Sequence, residues 1–277
     1  MIKRMFCLLS AAVMLSGSGS ISAYATAAEA FSADSAGFEY RAIDSSSCEI
    51  VGYTGSESDI DIPGEIDSMK VVSVAEEAFS GNSSCTVIIV PGSVKKLGRR
   101  WAYGCTALKK ITYKNGVRRI GKDSSCGCPE LSKVILPPSI VNIDGELADK
   151  DLKKCSSFYF YRGTYAEKYL KENKYHRITL PGRIREYDAD NTVKGRVEFT
   201  WRKVATADGY QIQICEQKYK FKKNVTEVTL KGKNRQSYLF KDLKGGRRYT
   251  IRARSYRVVG GKKYYGPYNG FLSLYVK

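Results

Sequence analysis

An eleven-residue segment occurs three times in the first half of this chain at a fixed interval, and that interval restricts the fold more than any other feature. Ile88-Ile89-Val90-Pro91-Gly92-Ser93-Val94-Lys95-Lys96-Leu97-Gly98 returns as Ile111-Thr112-Tyr113-Lys114-Asn115-Gly116-Val117-Arg118-Arg119-Ile120-Gly121, and again as Val134-Ile135-Leu136-Pro137-Pro138-Ser139-Ile140-Val141-Asn142-Ile143-Asp144. The starts at 88, 111 and 134 set a period of 23, and an earlier copy opens at Ile60-Asp61-Ile62-Pro63, 28 residues ahead of the second. Apolar residues keep their slots: Val94, Val117 and Ile140 align, as do Leu97, Ile120 and Ile143, and Leu108 and Leu131. One such unit cannot bury its apolar side alone. Stacked copies bury one another's, so the period predicts a solenoid.

The cysteines follow the same period. Cys105 and Cys128 share a slot directly after Gly104 and Gly127; Cys155 fills it after a four-residue insertion, Asn82 fills it in the first copy, and Cys85 takes the slot of Leu108. Cysteine in a repeat slot acts as a small buried hydrophobe. Cys126-Gly127-Cys128 is too tight for a zinc-binding pair and has no second pair at zinc spacing. No metal and no cofactor is expected.

The pattern I-x-I-P-x-S-V-x-x-I-G followed by G-C-x-x-L resembles the BspA-type leucine-rich repeat of bacterial surface proteins. The lead-in Ile50-Val51-Gly52-Tyr53-Thr54-Gly55 is similar to that family's first repeat, and Gly163-Thr164-Tyr165-Ala166-Glu167-Lys168-Tyr169-Leu170 to its terminal segment, where a short helix closes the stack. Tyr165 and Tyr169 would share one helix face. The resemblance spans residues 38–176. It implies an adhesin-like role. The family's Ala-Phe pair stands at Ala78-Phe79 but becomes Trp101-Ala102 and then Ser124-Ser125, and Lys114 replaces the repeat proline, so an irregular array is expected.

Residues 191–277 change to a period of two. Val197, Phe199 and Trp201 alternate with polar residues, as do Tyr210, Ile212 and Ile214, and Tyr249, Ile251 and Ala253. Short alternating strands between polar turns predict a β-sandwich, with Trp201 and Tyr249 in its core. The segment resembles fibronectin type III modules at Trp201, Ala207-Asp208-Gly209-Tyr210 and Tyr249-Thr250-Ile251-Arg252-Ala253-Arg254. Cys215 is alone there, so no inter-sheet disulfide can form. Residues 177–190, with Leu180-Pro181-Gly182, read as a short linker. The expected fold class is mainly β: a leucine-rich repeat solenoid followed by an immunoglobulin-like (fibronectin type III) β-sandwich.

The first 25 residues read as a secretory signal peptide: basic Met1-Ile2-Lys3-Arg4, an apolar run from Met5 to Gly17, and Ala23-Tyr24-Ala25 as cleavage signal. Cys7 lies inside the apolar run and does not follow a lipidation box. No later stretch reaches the ~18 apolar residues of a membrane span. The mature chain is expected to be secreted or held non-covalently at the cell surface, and to be monomeric. Its cysteines at 48, 85, 105, 126, 128, 155 and 215 are odd in number, a poor disulfide framework, and are expected mostly as free thiols.

Charge separates the two halves. Residues 26–176 hold 20 Lys+Arg and 20 Asp+Glu; residues 177–277 hold 24 and 8, a net of +16. Solubility needs far less, whereas a field that concentrated attracts polyanions. Alternation puts Arg252 and Arg254 outward on one sheet face with Gln211 and Gln213 beside them. Lys218, Lys220, Lys222 and Lys223 follow on a neighbouring strand or turn, interleaved with Tyr219 and Phe221; Arg247, Arg248, Lys262 and Lys263 are expected in loops beside Tyr264 and Tyr265. The candidate polyanion site is Arg252, Arg254, Arg257, Lys218, Lys220, Lys222, Lys223 and Tyr219. The competing reading is of lysine-rich edges that discourage strand pairing.

Catalytic signatures are missing from the sequence. His176 is the only histidine and has no nucleophile or acid partner around it, no glycine-rich phosphate loop is present, and Asp59, Asp61, Glu65 and Asp67 read as solvated turn residues. The chain is expected to be an exported, non-enzymatic binding protein. Its repeats would recognise a protein or glycan, and its basic sandwich an anionic cell-wall polymer or matrix. A nucleic-acid-binding module and a secreted hydrolase with an unrecognised carboxylate pair are the alternatives.

Overall fold

The structure, a computed structural model, describes residues 31–149, 151–152 and 156–277; the expected signal peptide, Cys7 and Cys155 lie outside the described residues. Each 23-residue unit supplies one strand to each of two parallel sheets. One sheet runs β4 (Asp59–Asp61), β7 (Val87–Val90), β9 (Lys110–Tyr113), β11 (Lys133–Ile135), β13 (Ser157–Tyr161) and β14 (Arg177–Leu180). The other runs from β1 (Ser32–Ala33) through the hairpin β2 (Phe38–Asp44) and β3 (Ser47–Tyr53) to β6 (Met69–Val74), β8 (Lys96–Leu97), β10 (Arg119–Ile120) and β12 (Asn142–Ile143), with β5 (Glu65–Ile66) paired to β6.

The sequence period is the register. Lys96, Arg119 and Asn142 lie side by side, as do Leu97, Ile120 and Ile143. Ile88, Ile111, Val134 and Phe158 form the matching row of the first sheet, and every one of them is fully buried. The substituted Ala-Phe pairs, expected to make the array irregular, leave this register intact. The Trp101 ring meets Phe79 edge-on at 5.9 Å and Tyr113 at 6.1 Å, and Ala102, Ser124 and Ser125 are buried in the same stack. The cysteine slot is more than apolar filling. Cys105 Sγ donates to Phe79 O (3.1 Å) and Cys128 Sγ to Ala102 O (3.2 Å), so each thiol joins its turn to the one before.

The helix α1 (Tyr165–Glu172) closes the stack. Thr164 caps it, accepting from Glu167 N at 3.3 Å, while Glu167 Oε2 accepts from Gly163 N at 2.7 Å. Tyr169 and Leu170 are buried beneath it. Tyr175 OH then accepts from Leu147 N (3.0 Å) and Ala148 N (3.3 Å), satisfying backbone donors at the end of the last turn.

The second half is a sandwich. β15 (Tyr187–Asp190), β16 (Val197–Trp201) and β19 (Ser237–Phe240) face a sheet of β18 (Thr226–Lys231), β17 (Gly209–Glu216), β20 (Arg247–Val259), β21 (Lys262–Tyr265) and β22 (Leu272–Val276). Its core gathers Val197, Phe199, Trp201, Tyr210, Ile212 and Ile251, the inward residues of the alternating runs. β20 pairs with β22 over Arg247–Ile251 and with β21 over Tyr256–Val259. Between them, Asn269 stands in for a strand: its N–H donates to Ala253 O (2.8 Å) and its Oδ1 accepts from Ala253 N (2.7 Å).

The expected linker is largely ordered into the two halves. Residues 177–180 extend the repeat sheet as β14 and residues 187–190 open the sandwich as β15, leaving 181–186 between them. Ile184 is buried in the sandwich core, with Arg183 and Arg185 exposed on either side.

Candidate binding surface of the basic sandwich

Cross-strand register brings the predicted arginines together. On β17 and β20, Gln211 lies opposite Arg254 and Gln213 opposite Arg252. Arg252 Nε donates to Gln213 Oε1 (2.6 Å) and Arg254 Nε to Gln211 Oε1 (2.7 Å); the amide nitrogens of both glutamines donate to Glu227 on β18, at 2.5 and 2.8 Å. One carboxylate therefore anchors both guanidinium groups through two amides.

Aromatic rings flank both guanidinium groups. Arg252 lies 4.1 Å from the Phe221 ring and 4.2 Å from that of Tyr268; Arg254 lies 4.5 Å from Tyr268 and 3.9 Å from Tyr265. The order Phe221, Arg252, Tyr268, Arg254, Tyr265 is a ladder of alternating ring and cation, in which each contact contributes about 0.5–2 kcal/mol. Phe271, 68% exposed, stacks on the outer side of Phe221 at 5.6 Å. Phe221 reaches its place with a positive φ of 60°, an uncommon backbone conformation for a bulky residue.

The remaining predicted residues are placed separately. Arg257 faces the repeats: its Nη1 donates to Thr179 O on β14 at 2.7 Å. Lys218 pairs with Glu216 at 3.1 Å. Lys220, Lys222 and Lys223 are exposed in the turn that follows β17, close in sequence to the outer end of the ladder at Phe221. Tyr219 ends a short 3₁₀ turn, Gln217–Tyr219, and its side chain lies outside what the structure describes. Arg247, Arg248, Lys262 and Lys263, expected in loops, are strand residues of β20 and β21. Their neighbours are engaged within the protein. Arg248 lies over the Tyr275 ring at 5.0 Å, Lys263 over Tyr256 at 5.0 Å, and Tyr264 stacks on Tyr159 of β13 at 4.9 Å. Lys133 of β11 donates to Tyr264 OH and lies 4.6 and 4.3 Å from the Tyr159 and Tyr264 rings. Burial, with Lys262 and Lys110 nearby, pushes the Lys133 pKa below its ordinary value.

These contacts hold the two halves together. Ser255 Oγ donates to Gly182 O (2.5 Å), and Gly182 N donates to Thr206 Oγ1 (3.3 Å). Tyr268, Phe271 and Glu227 were not singled out from the sequence. The available signal was two aromatic residues three apart, Tyr265 and Tyr268, in a chain that also carries two arginines two apart. His176 is exposed, and among the described residues no three His, Cys, Asp or Glu side chains gather as a metal site.

Residues 58–168 match the BspA type leucine rich repeat region, in six copies. No curated protein matches the chain. Among solved structures, a leucine rich cell surface protein from Faecalibacterium prausnitzii is similar at 22% identity and a TM-score of 0.41, over 49% of this chain and 38% of that one. This chain therefore corresponds to well under half of that protein's structure. A leucine rich repeat protein of T. pallidum is similar at 26% identity and a TM-score of 0.36, over 46% of this chain and 70% of that one. A two-domain fibronectin type III segment of chicken tenascin is similar at 15% identity and a TM-score of 0.30, over 35% and 51%.

Proposed function

We propose that this chain, a BspA-type leucine-rich repeat solenoid followed by a fibronectin type III-like sandwich, is an exported, non-enzymatic binding protein of a bacterial surface. The repeat stack offers an extended face to a protein or glycan, and the sandwich adheres to anionic cell-wall polymer. The observation that carries this reading is the net charge of +16 over residues 177–277, against zero over residues 26–176. Within that charge, the roles divide. Arg252 and Arg254 are held in the ladder and Arg257 at the junction, so they shape the face. Lys220, Lys222 and Lys223 are exposed, and they supply the ammonium groups that a phosphate- or carboxylate-bearing polymer would meet. The basic leader and its small-residue cleavage signal support export.

The test is retention of the mature chain on immobilised polyglycerol phosphate across a salt series. Strong retention at low salt that falls steeply as salt rises is expected, because displaced counterions drive such binding. The triple variant Lys220→Glu, Lys222→Glu, Lys223→Glu should bind at least roughly tenfold more weakly, about 1.4 kcal/mol, with an unchanged circular dichroism spectrum. Equal retention of variant and parent would refute the assignment of the lysine turn. Release by competing DNA but not by free wall polymer would favour a nucleic-acid module instead.

A further inference from the structure

A cleft of about 1290 Å³ lies where the repeat sheet meets the sandwich. Its floor includes Thr112 of β9, Ile135 of β11 and Tyr161 of β13, and its far wall is the connector 182–187 together with Tyr265 and Pro267. The wall positions are fixed by the Arg257–Thr179, Ser255–Gly182 and Tyr264–Tyr159 contacts, so a ligand meets a formed site and little ordering opposes its binding.

The charge at the opening is one-sided. Arg162 on the repeat side and Arg183 and Arg185 on the connector all line the cleft and are exposed. None of the three makes a side-chain hydrogen bond or ion pair among the described residues. Among the described residues the one acidic residue lining the cleft, Glu186, is held by Arg202 Nη1 at 2.7 and 3.0 Å. Three guanidinium groups share one opening, and among the described residues no carboxylate pairs with any of them. Each presents a planar fork suited to a carboxylate. Between them the surface mixes aromatic and aliphatic residues (Ile135, Pro137, Tyr161, Tyr265) with polar ones (Asn115, Thr164 and Lys114, the last paired to Asp61 at 3.3 Å), and the Thr112 Oγ1 on the floor is buried with no hydrogen-bond partner among the described residues. Tyrosine faces and hydroxyl- or amide-bearing side chains beside carboxylate-binding forks fit a sugar ring that carries an acid group, stacked by its C–H face, hydrogen-bonded at its hydroxyls and held by its carboxylate. The volume exceeds the ~300–1,000 Å³ of a drug-sized ligand site, which suits a short oligomer.

We propose that this interdomain cleft binds a carboxylate-bearing oligosaccharide, through Arg162, Arg183 and Arg185 against the Tyr161 side of the repeat sheet. The proposal deepens the binding reading above, but it rests on a different set of cations from the lysine turn. The experiment is calorimetric titration of the full mature chain with a hexamer of galacturonic acid, its methyl-esterified neutral counterpart, and a hexaglutamate peptide. One saturable site for the acidic hexamer is expected, with no heat from the neutral oligomer. Arg183→Glu with Arg185→Glu should weaken binding at least tenfold, and Arg162→Glu on the opposite wall should do the same with the connector untouched. The lysine-turn triple variant should bind the hexamer as the parent does. Saturable binding that survives the arginine reversals, binding lost equally in the lysine variant, equal or tighter binding of hexaglutamate, or no binding of any probe would each overturn the proposal. Equal polyglycerol phosphate retention of parent and lysine variant would refute only the lysine assignment, and failure of the parent to be retained would refute only the wall-polymer reading.

Discussion

Gly266 occupies the tightest point of the junction. A methyl group there would lie 2.7 Å from both Gly182 O and Pro181 O and 2.9 Å from Ser255 Oγ. Two of those atoms are backbone, so relief requires the connector to move away from β20. Gly266→Ala is expected to destabilise the chain by about 1–3 kcal/mol, the usual penalty of overpacking, and to speed proteolytic cleavage between 181 and 186. Unchanged melting and cleavage would show that the junction is loosely held. Nothing in the local sequence Tyr264-Tyr265-Gly266-Pro267 distinguishes this glycine from an ordinary turn residue. Its contact lies some 84 residues back along the chain, at Gly182.

The ladder is a property of β17, β20 and the segment before β22 taken together. Strand alternation correctly put Arg252 and Arg254 on one face with Gln211 and Gln213 beside them, because side-chain direction in a strand is local and has period two. It could not show that Tyr268 enters between the two guanidinium groups, since that depends on how the chain returns after β21. Arg254 is therefore expected to act mainly on stability. Arg254→Ala removes two ring contacts and a hydrogen bond to Gln211. It should lower the sandwich's resistance to denaturant by about 1–3 kcal/mol, whereas Lys222→Ala on the exposed turn should stay within about 0.5 kcal/mol. Equal effects would mean that the ladder contributes nothing. The solenoid strands show the opposite case. The pairing of β7, β9 and β11, and of β8, β10 and β12, was legible from the 23-residue period, because like units stacked in parallel pair like positions, whereas the 24-residue step from Val134 to Phe158 and the pairing of β14 were not.

For the whole molecule, stability comes from packing and the docked junction. The described cysteines at 48, 85, 105, 126, 128 and 215 are free and buried. Cys126 is held as a thiol, its pKa pushed up to about 12 by burial and by the carboxylates of Asp149 and Asp123. Alkylation at neutral pH without reductant is expected to be slow on the native chain and complete in denaturant, with the mass gain showing no bridged pair among these six. A mass short by two or more alkyl groups would contradict the structure.

The sequence on its own determined the 23-residue stack, the alternating sandwich strands and, from residue counts, the concentration of positive charge in the last hundred residues; the helix that closes the repeats was expected only from the family resemblance. Repeats and alternation are one-dimensional signals, and short segments suffice to read them. The tertiary structure alone decided how that charge is used. It placed Arg252 and Arg254 between aromatic rings and Arg257 against the repeat sheet, left the lysine turn exposed, and framed a cleft with Arg162, Arg183 and Arg185, residues that no sequence pattern had drawn together. The reason is distance along the chain. Lys133 and Tyr264 meet across 131 residues and Arg257 and Thr179 across 78, and such contacts follow from the docking of two folded halves on one another.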